Sequence, residues 1–302
     1  MVKIFTPAYG TALEAMGVPN NHEMSSAAVF REAGWRALLQ ELTDDYVRMG
    51  QRDGKCIDGI MTHTFRCSPH FVNSHVYDFN RLAADVALSA RERYGNREMK
   101  VFGVVGPMGR DCYDPSQASD SVKSIMEYHH PQVEALKKAG VDGLWPETIN
   151  TVREGKALVA LAKDYSLPVY LSFVLDKEGL GNVRNGTSFS EAIKEIDSMT
   201  GAYAKGYLAN CSTAGNIKTM LELVPRDGLG HRIGGFYPNA SNTDPGILDG
   251  CDGVHQDVPV KDLIGFVKKA QQNHPGIRWD GAWVSGCCGY GKDLEELVVA
   301  FK

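Results

Sequence analysis

Eight short apolar runs punctuate this chain of 302 residues, and stretches with helical periodicity separate them. The runs fall at residues 2–5, 59–65, 101–105, 143–145, 168–173, 207–209, 232–236 and 281–284. Apolar residues recur on a helical period over 27–49, 121–139, 152–163, 188–200, 217–223, 260–272 and 293–301. Punctuation agrees with several of these spans. Asp120 precedes the 121–139 stretch, Ser188 with Glu191 has the capping-box form, and Gly140 and Gly201 stand just beyond helix ends. Strand and helix alternating in this way over such a length predict an α/β protein, a (β/α)8 TIM barrel. A doubly wound sheet is the alternative. No linker or repeat divides the chain, so residues 1–302 are expected to form one domain.

Composition narrows the functions open to such a barrel. With 43% hydrophobic residues the chain can bury a full core. The net charge of −5 comes without a basic stripe, which argues against nucleic acid as a partner. No segment approaches the ~20 apolar residues of a membrane helix, and the first residues lack the apolar run of a signal peptide. Seven cysteines at irregular spacing suit reduced thiols in the cytoplasm, where they serve metals or catalysis more often than bridges. No glycine-rich dinucleotide fingerprint, phosphate loop or Gly-x-Ser-x-Gly elbow is present, and few candidate strands carry a lysine suited to Schiff-base chemistry.

The chemical signal lies in Ser285-Gly286-Cys287-Cys288-Gly289. Adjacent residues of a strand point to opposite faces, so both thiols reach one site only if the backbone bends, which Gly286 and Gly289 permit. Neighbouring Cα atoms lie about 3.8 Å apart, too close for an ordinary disulfide. A shared soft cation fits better, and Cys211, at the end of another candidate strand, supplies a third thiol. Three cysteines and one open position describe a catalytic zinc centre, whereas free cysteines are also common as buried small hydrophobes. Barrel placement favours the metal, because active sites lie at the carboxyl ends of the strands. Cys56, Cys67, Cys112 and Cys251 have no such placement and are read as structural or incidental.

Other strand ends carry polar residues. Glu147 follows the fourth run and suits a substrate ammonium group, or is simply a solvated loop acid. Gly10 and Thr11 open a turn into a helix, where free N–H groups suit a carboxylate. Tyr237 and Asn239 end the seventh run, with Asn239 equally suited to satisfying local backbone. His63 ends the second run and is expected to pack at the rim rather than act as a base.

Asn210-Cys211, Tyr237-Pro238-Asn239-Ala240 and Gly286-Cys287-Cys288-Gly289, with Gly10-Thr11-x-Leu13-Glu14 and Glu147-Thr148 before them, resemble the zinc-dependent homocysteine S-methyltransferases. The likeness spans nearly the whole chain. It implies a (β/α)8 barrel in which Cys211, Cys287 and Cys288 hold Zn2+. It also implies that Glu147 binds the homocysteine amino group and Gly10 and Thr11 its carboxylate. The implied reaction moves a methyl group from an unnamed donor to homocysteine, giving methionine. Thr6 stands where members commonly carry an acid, and His63 where they often carry Asn. The same chemistry on another small thiol, and a non-catalytic zinc-binding barrel, are the competing expectations.

Overall fold

A computed structural model describes residues 1–19, 26–51, 55–118, 120–248 and 255–302. Its eight strands are β1 (Lys3–Ile4), β2 (Gly59–Met61), β3 (Lys100–Val105), β4 (Gly143–Pro146), β5 (Tyr170–Phe173), β6 (Gly206–Asn210), β7 (Ile233–Tyr237) and β8 (Trp283–Val284). All neighbouring pairs are parallel. They form a five-stranded sheet in the order β1-β8-β7-β6-β5 and a three-stranded sheet, β2-β3-β4. Two isolated bridges join the sheet edges, Phe5 with Gly59 and Leu144 with Val169. The Thr6 N–H donates to the Gly59 carbonyl at 3.2 Å, and the Leu144 N–H to the Pro168 carbonyl at 2.8 Å. Strand pairing therefore runs right round the expected TIM barrel.

One long helix follows each strand, from Ala33–Met49 after β1 to Leu294–Phe301 after β8. Ser121 and Ser188 cap their helices by accepting the N–H groups of Ser124 and Glu191. Gly140 and Gly201 end them at φ 88° and 70°. Two departures from the sequence pattern stand out. The 27–49 stretch is broken, with a 3-10 turn at Ser26–Phe30 and the helix starting only at Ala33 after an extended Glu32. Helix Val76–Tyr94 lies in a stretch where the apolar pattern gave no signal. Its buried stripe is mostly alanine (Ala83, Ala84, Ala87, Ala90), which packs against neighbours but contributes little apolar contrast.

The barrel interior below the site is aromatic. Phe5, Phe102, Trp145, Tyr170, Tyr237 and Trp283 come from six strands or their ends, and their ring centroids lie about 5–6 Å apart, mostly edge-on or tilted. Gly235 on β7 sits at φ 137°, and a Cβ there would fall 1.8 Å from the Trp283 carbonyl oxygen. Gly235→Ala is therefore expected to lower stability by about 3 kcal/mol, from overpacking and backbone strain together. A urea midpoint unchanged from the parent protein would show that β7 and β8 are not in this close contact.

Candidate metal centre and substrate cavity

The chain leaves β6 at Asn210 and turns at Cys211, which takes φ 48°, a conformation rare for residues with side chains. After β8, the Ser285 hydroxyl donates to the Phe5 carbonyl at 2.9 Å and fixes the loop against β1. Gly286 is required by space, since a Cβ would meet Tyr290 Cβ at 2.3 Å, and Gly289 by its φ of 91°. The segment after β7 then laces the two cysteine loops together. The Cys211 N–H donates to the Tyr237 carbonyl (3.3 Å), and the Asn239 N–H to the Ser212 carbonyl (3.1 Å). The Cys287 N–H donates to the Pro238 carbonyl (2.8 Å), and the Ala240 N–H to the Cys288 carbonyl (3.0 Å).

These bonds bring Cys211, Cys287 and Cys288 together, with all three sulfurs within 4.8 Å of one another. Cys287 Sγ lies 3.5 Å from Cys211 Sγ. Tetrahedral zinc with ~2.3 Å bonds separates its sulfurs by about 3.8 Å, so the trio is close to the spacing a zinc ion needs, and three thiols form a soft donor set. The sulfurs hydrogen-bond to one another. Hydrogen bonds from Cys211 and Cys287 hold the Cys288 thiol well below an ordinary thiol. Hydrogen bonding to Cys211 and Cys288, together with burial, pushes Cys287 well above it. The Tyr113 hydroxyl lies 3.3 Å from Cys211 Sγ.

The trio lies in the wall of a cavity of about 190 Å3, shared with Gly10, Thr11, Glu14, His63, Arg66, Glu147 and others. Glu147 is held from below, where Trp145 Nε1 donates to the Tyr237 hydroxyl (2.8 Å) and that hydroxyl donates to Glu147 Oε2 (3.1 Å). Burial, and then the nearby Cys211, push the Glu147 carboxyl up to about 8. Among the described residues no cation offsets that cost. The next residue, Thr148, stands at φ 59° and is pinned by Asn210, whose side chain accepts the Thr148 N–H and donates to its hydroxyl, each at 2.9 Å. Asn210 thus ties the Glu147 loop to the Cys211 turn.

Gly10 and Thr11 open helix Gly10–Ala15 and line the cavity as the sequence suggests. Asn239 does not line it. The residue is buried and acts through its backbone in the lacing described above. His63 is also buried, its Nε2 bonded to the Ser26 carbonyl at 3.0 Å, and burial pulls it down to about 4, so the ring is neutral and packed. Cys67 is core, Cys56 accepts from Asn96 Nδ2, and Cys251 falls outside the described residues. Cys112, expected to be merely structural, lines the cavity beside Tyr113. Both arrive on the loop after β3. Glu154 anchors that loop by accepting the Met108 N–H (2.6 Å), and Asn150 by donating to the Cys112 carbonyl (3.0 Å). Sequence reasoning missed Cys112, Tyr113 and Arg66 because no strand-end pattern marks them.

A sequence model of the homocysteine S-methyltransferase family matches residues 4–295. Homocysteine S-methyltransferase YbgG of Bacillus subtilis is 25% identical over 246 residues, covering 77% of this chain and 76% of that protein. An Escherichia coli homocysteine S-methyltransferase is 29% identical over 232 residues, 71% of each chain. Among solved structures, the oxidized form of homocysteine methyltransferase MmuM from Escherichia coli superposes with a TM-score of 0.74 at 22% identity, over 99% of this chain and 95% of that one. Its metallated form gives 0.71 at 21% identity over the same shares. That likeness places the two chains in one fold, and with the family match spanning all eight strands but the first residue of β1, the chain belongs to the homocysteine S-methyltransferase family.

Proposed function

We propose that this chain, acting as one domain over residues 1–302, is a zinc-dependent methyltransferase that converts homocysteine to methionine with an onium methyl donor. The observation that carries the zinc assignment is the convergence of three cysteine sulfurs, from loops distant in sequence, on one wall of a shared cavity. Cys211, Cys287 and Cys288 would hold the metal. Zinc bound there would keep an incoming thiol deprotonated and nucleophilic at neutral pH, where a free thiol with pKa about 8.5 is mostly protonated.

The remaining work falls to the protein's own groups. Glu147 takes the acceptor's ammonium, and the turn at Gly10 and Thr11 takes its carboxylate. Tyr237 keeps Glu147 aimed by its hydrogen bond, and Asn239 and Asn210 hold the loops in register. The acceptor sulfur forms a bond to the donor's methyl carbon as the bond from that carbon to the positive heteroatom breaks. The electron pair returns to the heteroatom, which leaves neutral. No acid or base is needed for that step, so the cavity need only align the partners and keep water out. Free thiols throughout the described residues suit a reducing compartment, the cytoplasm.

Purified protein is expected to carry about one zinc per chain and to form methionine from homocysteine with at least one donor among S-methylmethionine, S-adenosylmethionine and glycine betaine. Stripping the zinc with a chelator should abolish turnover, and restoring it should recover it. Zinc-loaded protein that methylates no thiol across this panel would refute the reading, and methylation of another small thiol in competition would replace the acceptor.

Glu147→Gln keeps a hydrogen-bonding group and removes the charge. Its expected effect is a rise in KM for homocysteine of roughly ten- to a hundredfold, the ~1.5–3 kcal/mol of a bond to a charged group. Zinc content should not change. An unaltered KM would remove Glu147 from the acceptor site.

A further inference from the structure

A second cavity lies behind the cysteine loop, between the starts of helices Ala214–Leu223 and Val260–Asn273. It holds about 260 Å3 and shares no lining residue with the substrate cavity. Pro238, Val258 and Leu263 make its walls largely apolar, and Asp257 and Asp262 are its charged groups. Among the described residues no lysine or arginine lines it. The Asp257 carboxylate accepts the Asn242 N–H, at 3.2 and 3.4 Å. Among the described residues neither it nor Asp262 has a cationic partner.

Tyr290 forms the inner wall. Its ring fills the space against Gly286, where a Cβ would fall 2.3–2.5 Å from three atoms of Tyr290, and the residue is wholly buried. Among the described residues its hydroxyl has no hydrogen-bond partner, whereas a buried hydroxyl almost always has one. That hydroxyl feels the negative charge of Asp293, Asp262 and Asp257, which sets it on the acidic side of the cavity. Asp293 is already engaged by Gln256 Nε2 at 2.8 Å. An orphaned hydroxyl and two carboxylates without counter-charge therefore face one small, mainly apolar space.

These groups select a ligand. Two carboxylates with no nearby cation repel phosphates, and repel amino acids through their carboxylate. A calcium ion needs six to eight oxygen ligands, more than two acids and a phenol supply between apolar walls. An ammonium group brings three N–H donors, which match the Tyr290 hydroxyl oxygen, Asp257 and Asp262. An alkyl body would cover Pro238, Val258 and Leu263 and take them out of water. We propose that this cavity binds a small primary alkylammonium. The assignment is independent of the methyl-transfer reading. The occupant would lean on the segment that gathers the cysteines, since the Pro238 carbonyl accepts the Cys287 N–H and the Val258 N–H donates to the Ala240 carbonyl at 2.9 Å.

The test is a ligand-observed NMR titration of the purified full chain with n-butylammonium, with uncharged 1-butanol as the matched control. Saturable binding of the amine is expected in the millimolar range, about threefold or more tighter than the alcohol. Asp262→Asn and Tyr290→Phe should each weaken it by about threefold or more, while Glu147→Gln leaves it unchanged. Neither homocysteine nor calcium should displace the amine. Absence of saturable binding would mean a water-filled crevice, and equal binding of the alcohol an apolar one, and either overturns the proposal. Displacement by homocysteine, or loss in Glu147→Gln, would put the amine in the substrate cavity and also overturn it. Displacement by calcium would replace it with a metal site. Asp262 is exposed, so Asp262→Asn decides the matter if Tyr290→Phe does not fold.

Discussion

The backbone hydrogen bonds made by residues 237–240 are the constraint on which the site depends. No cysteine in the trio is placed by its own strand alone. Cys211 leaves β6 in a left-handed conformation that costs about 1–3 kcal/mol, and Thr148 across the barrel mouth does the same. Four backbone bonds clasp the Cys211 and Cys287–Cys288 loops to the segment after β7, and Asn210 adds two more to Thr148. At about 1 kcal/mol apiece these bonds are comparable in sum to the strain they oppose. The strained turns therefore persist because neighbouring strands over-determine them. The backbone bonds hold the three sulfurs close to one another, which lowers the ordering cost of binding a shared cation.

The aromatic floor extends the same logic to Glu147. Trp145 and Glu147 are two residues apart at the end of one strand, and Tyr237 from β7 bridges them. A buried carboxyl held by a single neutral donor is left short of a counter-charge. Thr6, just past β1, has a structural task instead. Its hydroxyl accepts the Met61 N–H at 2.9 Å and its own N–H reaches Gly59, so the residue stitches β1 to β2 where strand pairing is thinnest.

Much of this architecture was legible in the sequence. All eight apolar runs correspond to strands because a parallel strand buried on both faces reads as a short continuous hydrophobic run. Helix Val76–Tyr94 was not legible because alanine fills a close helix–sheet contact without standing out from a polar background. The break before Ala33 was hidden because the apolar period carries on through Val29 and Phe30, which are buried in a different turn. The cysteine trio announced itself through a chemical oddity, adjacent thiols between glycines. Arg66, Tyr113 and Cys112 had no such mark, since a loop residue's position depends on anchors far away, such as Glu154 for the loop after β3. Asn239 misled for the opposite reason, as its place in a striking motif reflects the work of its backbone.

The two sheets divide the chemistry. Cys211, Cys287 and Cys288 follow strands of the five-stranded sheet and Tyr237 ends one, while Arg66, Tyr113 and Glu147 follow β2, β3 and β4. The cysteine-bearing arc is laced shut by backbone bonds that any substitution of spacing would disturb. The opposite arc presents its groups on loops anchored by side chains, and side-chain anchors can be exchanged one at a time. A barrel so arranged can keep its cysteine trio fixed while the loops after β2 and β3 are remade. The place to look for what distinguishes this chain from its relatives is therefore the wall that carries Arg66 and Tyr113, not the sulfurs.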